Sequence, residues 1–179
     1  MKQRTIIALI LLLSSGISLF GQIQKNTLML GGEIDIPLQQ QGGDEYKFII
    51  APTFGYFIID NLVIGAEVYT QINSWLGAIR YNIGAGPFCR YYVGKSNLKP
   101  FGHLSYVGVI SFFNTAESKY YTSHLKTGLG ASYFLIPSVS IEALIAYDQF
   151  KTNEELGRIQ DPHLSLHFGF QIFIPPRSS

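Results

Sequence analysis

Apolar and polar side chains alternate along the chain after residue 26, in stretches of about ten residues that end at turn-forming residues. A period of two is typical of β-strands whose two faces meet different surroundings. No stretch in this part of the chain has a helical period. The pattern predicts eight strands, over residues 27–37, 46–59, 62–73, 79–93, 100–113, 119–135, 139–150 and 162–174.

One face of each predicted strand carries no charge, whereas the other mixes glycine and small residues with isolated ionisable groups. In the third strand, for example, Leu62 and Ile64 lie on the uncharged face and Glu67 on the other. A water-soluble barrel would place its charges outside and would need more of them than the 14% of charged residues in this chain. We therefore predict that the apolar face points outward into lipid. The alternative is a soluble periplasmic, lipocalin-like cup with Leu62 and Ile64 turned inward to hold a lipophilic ligand.

The connections between the predicted strands alternate in length. The odd-numbered ones, residues 38–45, 74–78, 114–118 and 151–161, are mostly longer and polar, and the even-numbered ones, residues 60–61, 94–99 and 136–138, are mostly tighter. An up-and-down meander with an even number of strands places both termini and all short turns at one end. The predicted fold class is therefore all-β, an eight-stranded antiparallel up-and-down transmembrane β-barrel.

Aromatic residues concentrate near both ends of the strands. We predict two girdles at the two membrane interfaces, where amphipathic rings prefer the headgroup level. The girdle nearest the short turns comprises Tyr56, Phe57, Tyr91, Tyr92, Phe101, Tyr133, Phe134, Phe170 and Phe173; the girdle near the long loops comprises Tyr46, Phe48, Tyr69, Trp75, Phe112, Phe113, Tyr120, Tyr121, Tyr147 and Phe150.

The first 21 residues have the pattern of a cleaved signal peptide, with Lys2 and Arg4 ahead of an apolar stretch over residues 6–13. That stretch is short of the roughly 20 apolar residues that a membrane-spanning helix needs, although an uncleaved anchor stays an alternative. Cleavage is expected before Gln22 or, alternatively, after Ser18, which leaves residues 22–179 as one outer-membrane barrel domain. Since Cys89 is the only cysteine and lies far from the cleavage region, we expect neither an internal disulfide nor a lipoprotein anchor.

Three segments carry a resemblance to a known family: "GYFIIDNLVIGAE" at residues 55–67, "GPFCRYYVG" at residues 86–94 and "GASYFLIPSVSIEA" at residues 130–143. They resemble the small bacterial outer-membrane β-barrel proteins of the OmpA-barrel and OmpX type. The resemblance implies a Gram-negative outer-membrane location. Nothing resembling a peptidoglycan-binding domain follows the predicted strands, so we expect a barrel alone, with its termini in the periplasm. The segment "HFGFQIFI" is similar to the terminal signal read by the barrel-assembly machinery, although here the chain runs on through "PPRSS".

Ionisable side chains collect on the predicted lumen face, and these are Glu33, Asp35, Glu67, Arg90, His103, His124, Lys126, Glu142, Asp148, His163 and His167. Charges inside a narrow barrel are costly unless they are paired. We therefore predict a network of ion pairs formed by Glu33, Glu67, Arg90, Lys126 and Glu142, with Arg90 or Lys126 as the partner of Glu67. The network is either a structural plug or a rearrangeable gate for ions or small solutes.

Other chemistry is poorly supported by the sequence. His163 and Ser165 have the H-x-S spacing of outer-membrane lipid-deacylating enzymes, but both are predicted to face the lumen. The four histidines lie on different strands without ligand-like spacing, so no metal and no cofactor are expected. A net charge of +1 with scattered basic residues excludes a nucleic-acid binder. The sequence thus predicts a non-enzymatic, monomeric barrel with a structural or surface-interaction role, whose loops could hold an extracellular partner.

Overall fold

The computed structural model describes residues 23–37, 46–75, 78–113, 116–152 and 162–176. The predicted signal peptide and both predicted cleavage sites lie outside these residues. No helix among the described residues is long and apolar enough to cross a membrane.

The described residues form one closed antiparallel barrel in which each strand pairs with its neighbours in the sequence and β1 also pairs with β8. The predicted fold class is thereby confirmed in its strand number, order and direction. The strands are β1 (Leu28–Pro37), β2 (Tyr46–Ile59), β3 (Leu62–Trp75), β4 (Ala78–Tyr92), β5 (Leu98–Phe113), β6 (Ala116–Ile136), β7 (Val139–Thr152) and β8 (His163–Ile174).

The strands run further than the apolar pattern predicted, chiefly at one end of the barrel. β3 continues to Trp75 and β6 begins at Ala116, so only residues 76–77 and 114–115 remain between the strands at these two connections. Two of the four odd-numbered connections are therefore as short as residues 60–61, so the predicted alternation of longer and shorter connections holds only in part. The reason is that backbone hydrogen bonds extend the hairpins beyond the zone in which the side chains alternate. We call this end, with the connections 38–45 and 153–162, the long-loop end and the other the short-turn end.

The two faces are sorted as the sequence predicted. Ile64 on the uncharged face is 45% exposed and Leu129 is 76% exposed, whereas Glu67, Arg90 and Lys126 are buried inside the barrel. The lipocalin-like alternative placed Ile64 inside and is not what the structure shows. The outer surface is therefore an apolar belt, and the ionisable groups line the lumen.

The predicted short-turn girdle divides between the outside and the inside of the barrel. Tyr56, Tyr91, Tyr133 and Phe170 are exposed on the outer surface, whereas Phe57, Tyr92, Phe101, Phe134 and Phe173 are buried in the lumen. Consecutive residues of a strand point to opposite faces, so adjacent aromatic residues such as Tyr91 and Tyr92 cannot both face lipid. We call the five buried rings, together with Met29, the aromatic floor.

The long-loop girdle divides in the same way. Tyr121 and Tyr147 are exposed, but Tyr69 and Phe150 are buried in the lumen and Phe112 is half-buried. The other side chains assigned to this girdle, those of Tyr46, Phe48, Trp75, Phe113 and Tyr120, lie outside the described part of the structure.

The rings of the aromatic floor pack against one another and close the short-turn end. The ring centroids of Phe134 and Phe173 are 4.9 Å apart, and those of Tyr92 and Phe101 are 5.3 Å apart. The chain before β1 adds to this closure, since Ile23 is buried and its amide donates to Asn61 Oδ1 at 3.0 Å. Apolar burial of this kind stabilises the short-turn end of the barrel.

Two inward-facing glycines allow large rings to approach the barrel wall closely. A Cβ atom added at Gly65 would meet Phe88 Cε1 at 2.7 Å, and one added at Gly130 would overlap the ring of Phe101. The small residues noted on the lumen face thus make room for aromatic side chains from neighbouring strands.

Candidate functional site in the barrel lumen

Five charged side chains from five strands meet in the middle of the lumen, and we call them the lumen network: Glu33 on β1, Glu67 on β3, Arg90 on β4, Lys126 on β6 and Glu142 on β7. Alternation along each strand turns them inward. Gly169 of β8 lies opposite both Glu33 and Glu142 in the ladder. Glu33 and Glu142 thus lie on the two strands that flank Gly169.

Arg90 bridges the carboxylates of Glu33 and Glu142. Its Nη2 donates to Glu33 Oε1 and its Nη1 to Glu142 Oε2, both at 2.6 Å. The guanidinium carbon also lies 4.5 Å from the centroid of the Phe101 ring, so an aromatic face covers the charge from below. Arg90 is fully buried, and a buried charge of this kind is tolerated only with such partners.

Lys126 joins the remaining carboxylate, Glu67, to Glu33. Its Nζ lies 3.0 Å from Glu33 Oε2 and 2.9 Å from Glu67 Oε1. Of the two partners considered for Glu67, the structure therefore places Lys126 against it, while Arg90 is directed to Glu33 and Glu142. Glu33 contacts both cations and is the centre of the network.

His103 and Tyr92 complete the network, and the sequence analysis gave neither of them a role in it. Arg90 Nε donates to His103 Nδ1 at 3.2 Å, so the ring proton of a neutral His103 lies on Nε2, which is 3.5 Å from Glu67 Oε2. Tyr92 donates to Glu142 Oε1 at 3.1 Å. His103 lies opposite Arg90 in the ladder between β4 and β5. The short connection between these two strands indicates this pairing, and it could have identified His103 from the sequence.

A second polar group lies towards the long-loop end, and we call it the upper cluster: His124, Asp148, Ser165 and His167. His124 Nε2 lies 2.6 Å from Asp148 Oδ1, and Ser165 Oγ donates to the other oxygen of the same carboxylate. Ser165 also contacts His167 Nε2 at 2.7 Å. The sequence had singled out His163 with Ser165, whereas the structure joins Ser165 to His167 in a buried position.

The remaining ionisable residues predicted for the lumen are placed as follows. His163 lies half-buried at the long-loop end, with its ring parallel to that of Phe150 at 6.1 Å between centroids. The backbone of Asp35 pairs with His167 in the ladder, and its side chain lies outside the described part of the structure. No group of three His, Cys, Asp or Glu side chains in the described ranges is arranged to hold a metal ion.

Little free space remains among these side chains. A cavity of about 10 Å³ lies between the upper cluster and the lumen network, next to Glu33, Lys126 and His167. This is close to the smallest volume that holds one water molecule. A larger hollow of about 270 Å³ lies at the short-turn end, on the outer side of Phe134 and Phe173. The described lumen is thus packed with side chains from the upper cluster to the aromatic floor.

Comparison with solved structures identifies this architecture. Neisserial surface protein A has a TM-score of 0.58 and 14% identity over 82% of this chain and 95% of its own. OprG from Pseudomonas aeruginosa has a TM-score of 0.54 and 14% identity, with 89% and 100% covered. The N-terminal barrel domain of OprF from the same organism has a TM-score of 0.53 and 10% identity, with 84% and 98% covered. The chain has the fold of small outer-membrane β-barrels.

At this level of identity the likeness concerns the fold of these outer-membrane barrels. No protein-family model and no curated protein sequence matches the chain. The charges inside this barrel therefore have to be interpreted from their own geometry. They form one connected layer of ion pairs above an apolar floor, an arrangement suited to closing the lumen and to binding the strands together across it.

Proposed function

We propose that this protein is an integral bacterial outer-membrane barrel whose lumen is closed by the lumen network and the aromatic floor, and that its role is structural or surface-interacting rather than enzymatic. The outward belt of uncharged side chains, with Ile64 and Leu129 exposed, supports placement in lipid. The fold shared with outer-membrane barrels supports the same location.

One observation carries the closed-lumen part of the proposal. Arg90 on β4 bridges Glu33 and Glu142, and Lys126 on β6 bridges Glu33 and Glu67, so two cations join their own strands to carboxylates on three others, β1, β3 and β7. Eight strands enclose an interior just wide enough for side chains to fill. The network occupies that interior, and each of its two cations contacts two carboxylates there.

We also propose how the chain reaches the outer membrane. Export through a signal peptide at residues 1–21 and insertion by the barrel-assembly machinery would place the short-turn end in the periplasm and the long-loop end outside the cell. The barrel would work as a monomer in contact with outer-membrane lipid. The connections 38–45 and 153–162 are the segments available to an extracellular partner.

Membrane placement is tested by extraction and gel mobility. We expect the protein to remain with the membrane after salt washing and osmotic shock and to require detergent for release. We expect it to run faster on a gel when it is not heated, as a folded barrel does. Release by salt or osmotic shock would contradict the proposal.

A second candidate function, a narrow gate for ions or small solutes, is favoured by the position of Glu33. Because its two oxygens contact different cations, it could exchange partners without leaving a charge alone. Single-channel recording in planar bilayers distinguishes the two functions. If the network is a plug, we expect no conductance steps from the wild type. We also expect none from Arg90→Ala, because the aromatic floor would still close the short-turn end. A gate predicts rare steps from the wild type and frequent ones from the variant.

A further inference from the structure

The upper cluster contains the carboxylate of Asp148, and the residue opposite it in the ladder, Lys126, makes its ion pairs with other carboxylates. Asp148 is 2% exposed, and Lys126 lies directly opposite it on β6. The ammonium group of Lys126 is nevertheless directed to Glu33 and Glu67. The groups of the described part of the chain that contact the Asp148 carboxylate are His124, Ser165 and His167. Any positive charge next to Asp148 must therefore come from an imidazole.

His124 is poorly placed to supply that charge. Its Nε2 donates to Asp148, so a second proton would be carried by Nδ1. In the described structure this Nδ1 is buried without a hydrogen-bond partner. An additional buried N–H without an acceptor is costly.

His167 is well placed to supply it. Since Ser165 donates to Asp148, His167 Nε2–H donates to Ser165 Oγ at 2.7 Å, and this nitrogen is also 3.6 Å from Asp148 Oδ2. A second proton on Nδ1 would face Glu33 Oε2, which is 3.9 Å away. Both ring nitrogens of His167 thus lie next to carboxylates.

The charges around His167 come from every neighbouring strand. β1 contributes Glu33, with Asp35 opposite His167 in the ladder, and β7 contributes Asp148. Lys126 and His124 of β6 and His163 of β8 line the same small cavity. Four carboxylates (Glu33, Glu67, Glu142, Asp148) and two permanent cations (Arg90, Lys126) are in contact within the described lumen. A proton on His167 reduces this excess of two negative charges to one.

We propose that His167 is a proton-dependent latch that joins Asp148 of the upper cluster to Glu33 of the lumen network. The protonated ring makes ion pairs with both carboxylates and holds β1, β7 and β8 together towards the long-loop end. Loss of the proton leaves Asp148 and Glu33 with fewer partners and loosens this half of the lumen. The latch adds pH sensitivity to the closed barrel of the proposed function, and it does not require that the barrel conduct.

The test compares the pH dependence of unfolding for the full-length mature protein in phospholipid vesicles. For the wild type we expect the unfolding equilibrium constant in urea to rise about tenfold between about pH 5.5 and pH 8.5, because the ion pairs of His167 with Asp148 and Glu33 are lost over the range in which histidine titrates. His167→Gln should remove most of this rise. His103→Gln, which alters another buried lumen histidine, should retain it.

A direct measurement covers the case in which His167→Gln does not fold. Imidazole NMR signals of the wild type in nanodiscs, assigned by way of His103→Gln, His124→Gln and His163→Gln, should show His167 titrating reversibly within this range. A His167 signal that stays constant would overturn the proposal, and so would a His167→Gln variant with the wild-type pH dependence. Salt extraction of the protein would instead contradict the proposed function and leave the latch geometry intact, so the two failures are distinguishable.

Discussion

Arg90 and Glu33 form a buried ion pair across the barrel, with 2.6 Å between Nη2 and Oε1. The same guanidinium reaches Glu142 at the same distance. One side chain of β4 therefore compensates carboxylates on β1 and β7.

Removing Arg90 should destabilise the barrel strongly. In Arg90→Ala the carboxylates of Glu33 and Glu142 would lose their shared cation inside the membrane, and breaking a buried pair costs about 3–5 kcal/mol. Urea unfolding in phospholipid vesicles measures this loss. Lys151→Ala, which removes an exposed charge at the long-loop end, is the control and should change little. Equal stability of the two variants would show that the ion pairs do not hold the barrel together.

Lys126 and Glu67 should be energetically coupled. Lys126→Met alone leaves Glu67 without its cation, and Glu67→Gln alone leaves Lys126 with Glu33 only. The double variant should therefore be less destabilised than the sum of the single variants, by about 0.5–3 kcal/mol. A double-mutant cycle of urea unfolding free energies gives this coupling. Strict additivity would mean that the 2.9 Å contact contributes nothing.

Gly65 should be intolerant of a methyl group. Gly65→Ala would bring Cβ to 2.7 Å from Phe88 Cε1 and even closer to the backbone of β2, so we expect a destabilisation of about 1–3 kcal/mol or more. Gly108→Ala is the matched control, because its added Cβ would have no atom within 4 Å. The comparison uses the yield of heat-modifiable folded protein and the urea midpoint. Similar values for the two variants would contradict the packing described for Phe88.

A charge on the outer belt should be costly only in a membrane. Leu129→Arg would place a guanidinium at a position that is 76% exposed on the outer surface. An arginine facing lipid near the bilayer midplane costs about 2–4 kcal/mol, whereas Leu129→Ala removes apolar contact without adding charge. We expect vesicle unfolding to show the larger loss for the arginine variant. An arginine variant as stable as the alanine variant would place Leu129 in water.

The period of two in the sequence was sufficient to assign the faces, because each lumen residue is separated from the next by one lipid-facing side chain. It placed Glu33, Glu67, Arg90, Lys126 and Glu142 inside the barrel, where the structure brings all five together. It did not give the register between strands, which decides that Arg90 lies beside His103 and that Lys126 contacts Glu67.

The upper cluster illustrates the same limit. His163 and His167 are both two positions from Ser165 on one face of β8, so spacing alone cannot tell which ring reaches the hydroxyl. The contact with Asp148 on β7 decides between them. Asp148 lies opposite His163 in the ladder, but its carboxylate accepts a hydrogen bond from the hydroxyl of Ser165. The aromatic floor was not predicted for a different reason. The girdle assignment used only the position of each ring along its strand and not the face to which the ring points.

The central claim, that the uncharged outer face meets lipid, can be tested most directly at Cys89, the only cysteine of the chain, which is exposed on that face. A nitroxide spin label on Cys89 in phospholipid vesicles reports collisions with oxygen, which enters lipid, and with a water-soluble nickel complex, which does not. A label at Lys151→Cys in a Cys89→Ser background is the control for the water-exposed long-loop end. The account predicts that oxygen accessibility exceeds nickel accessibility at Cys89 and that the order is reversed in the control. Greater accessibility of Cys89 to nickel than to oxygen would contradict it.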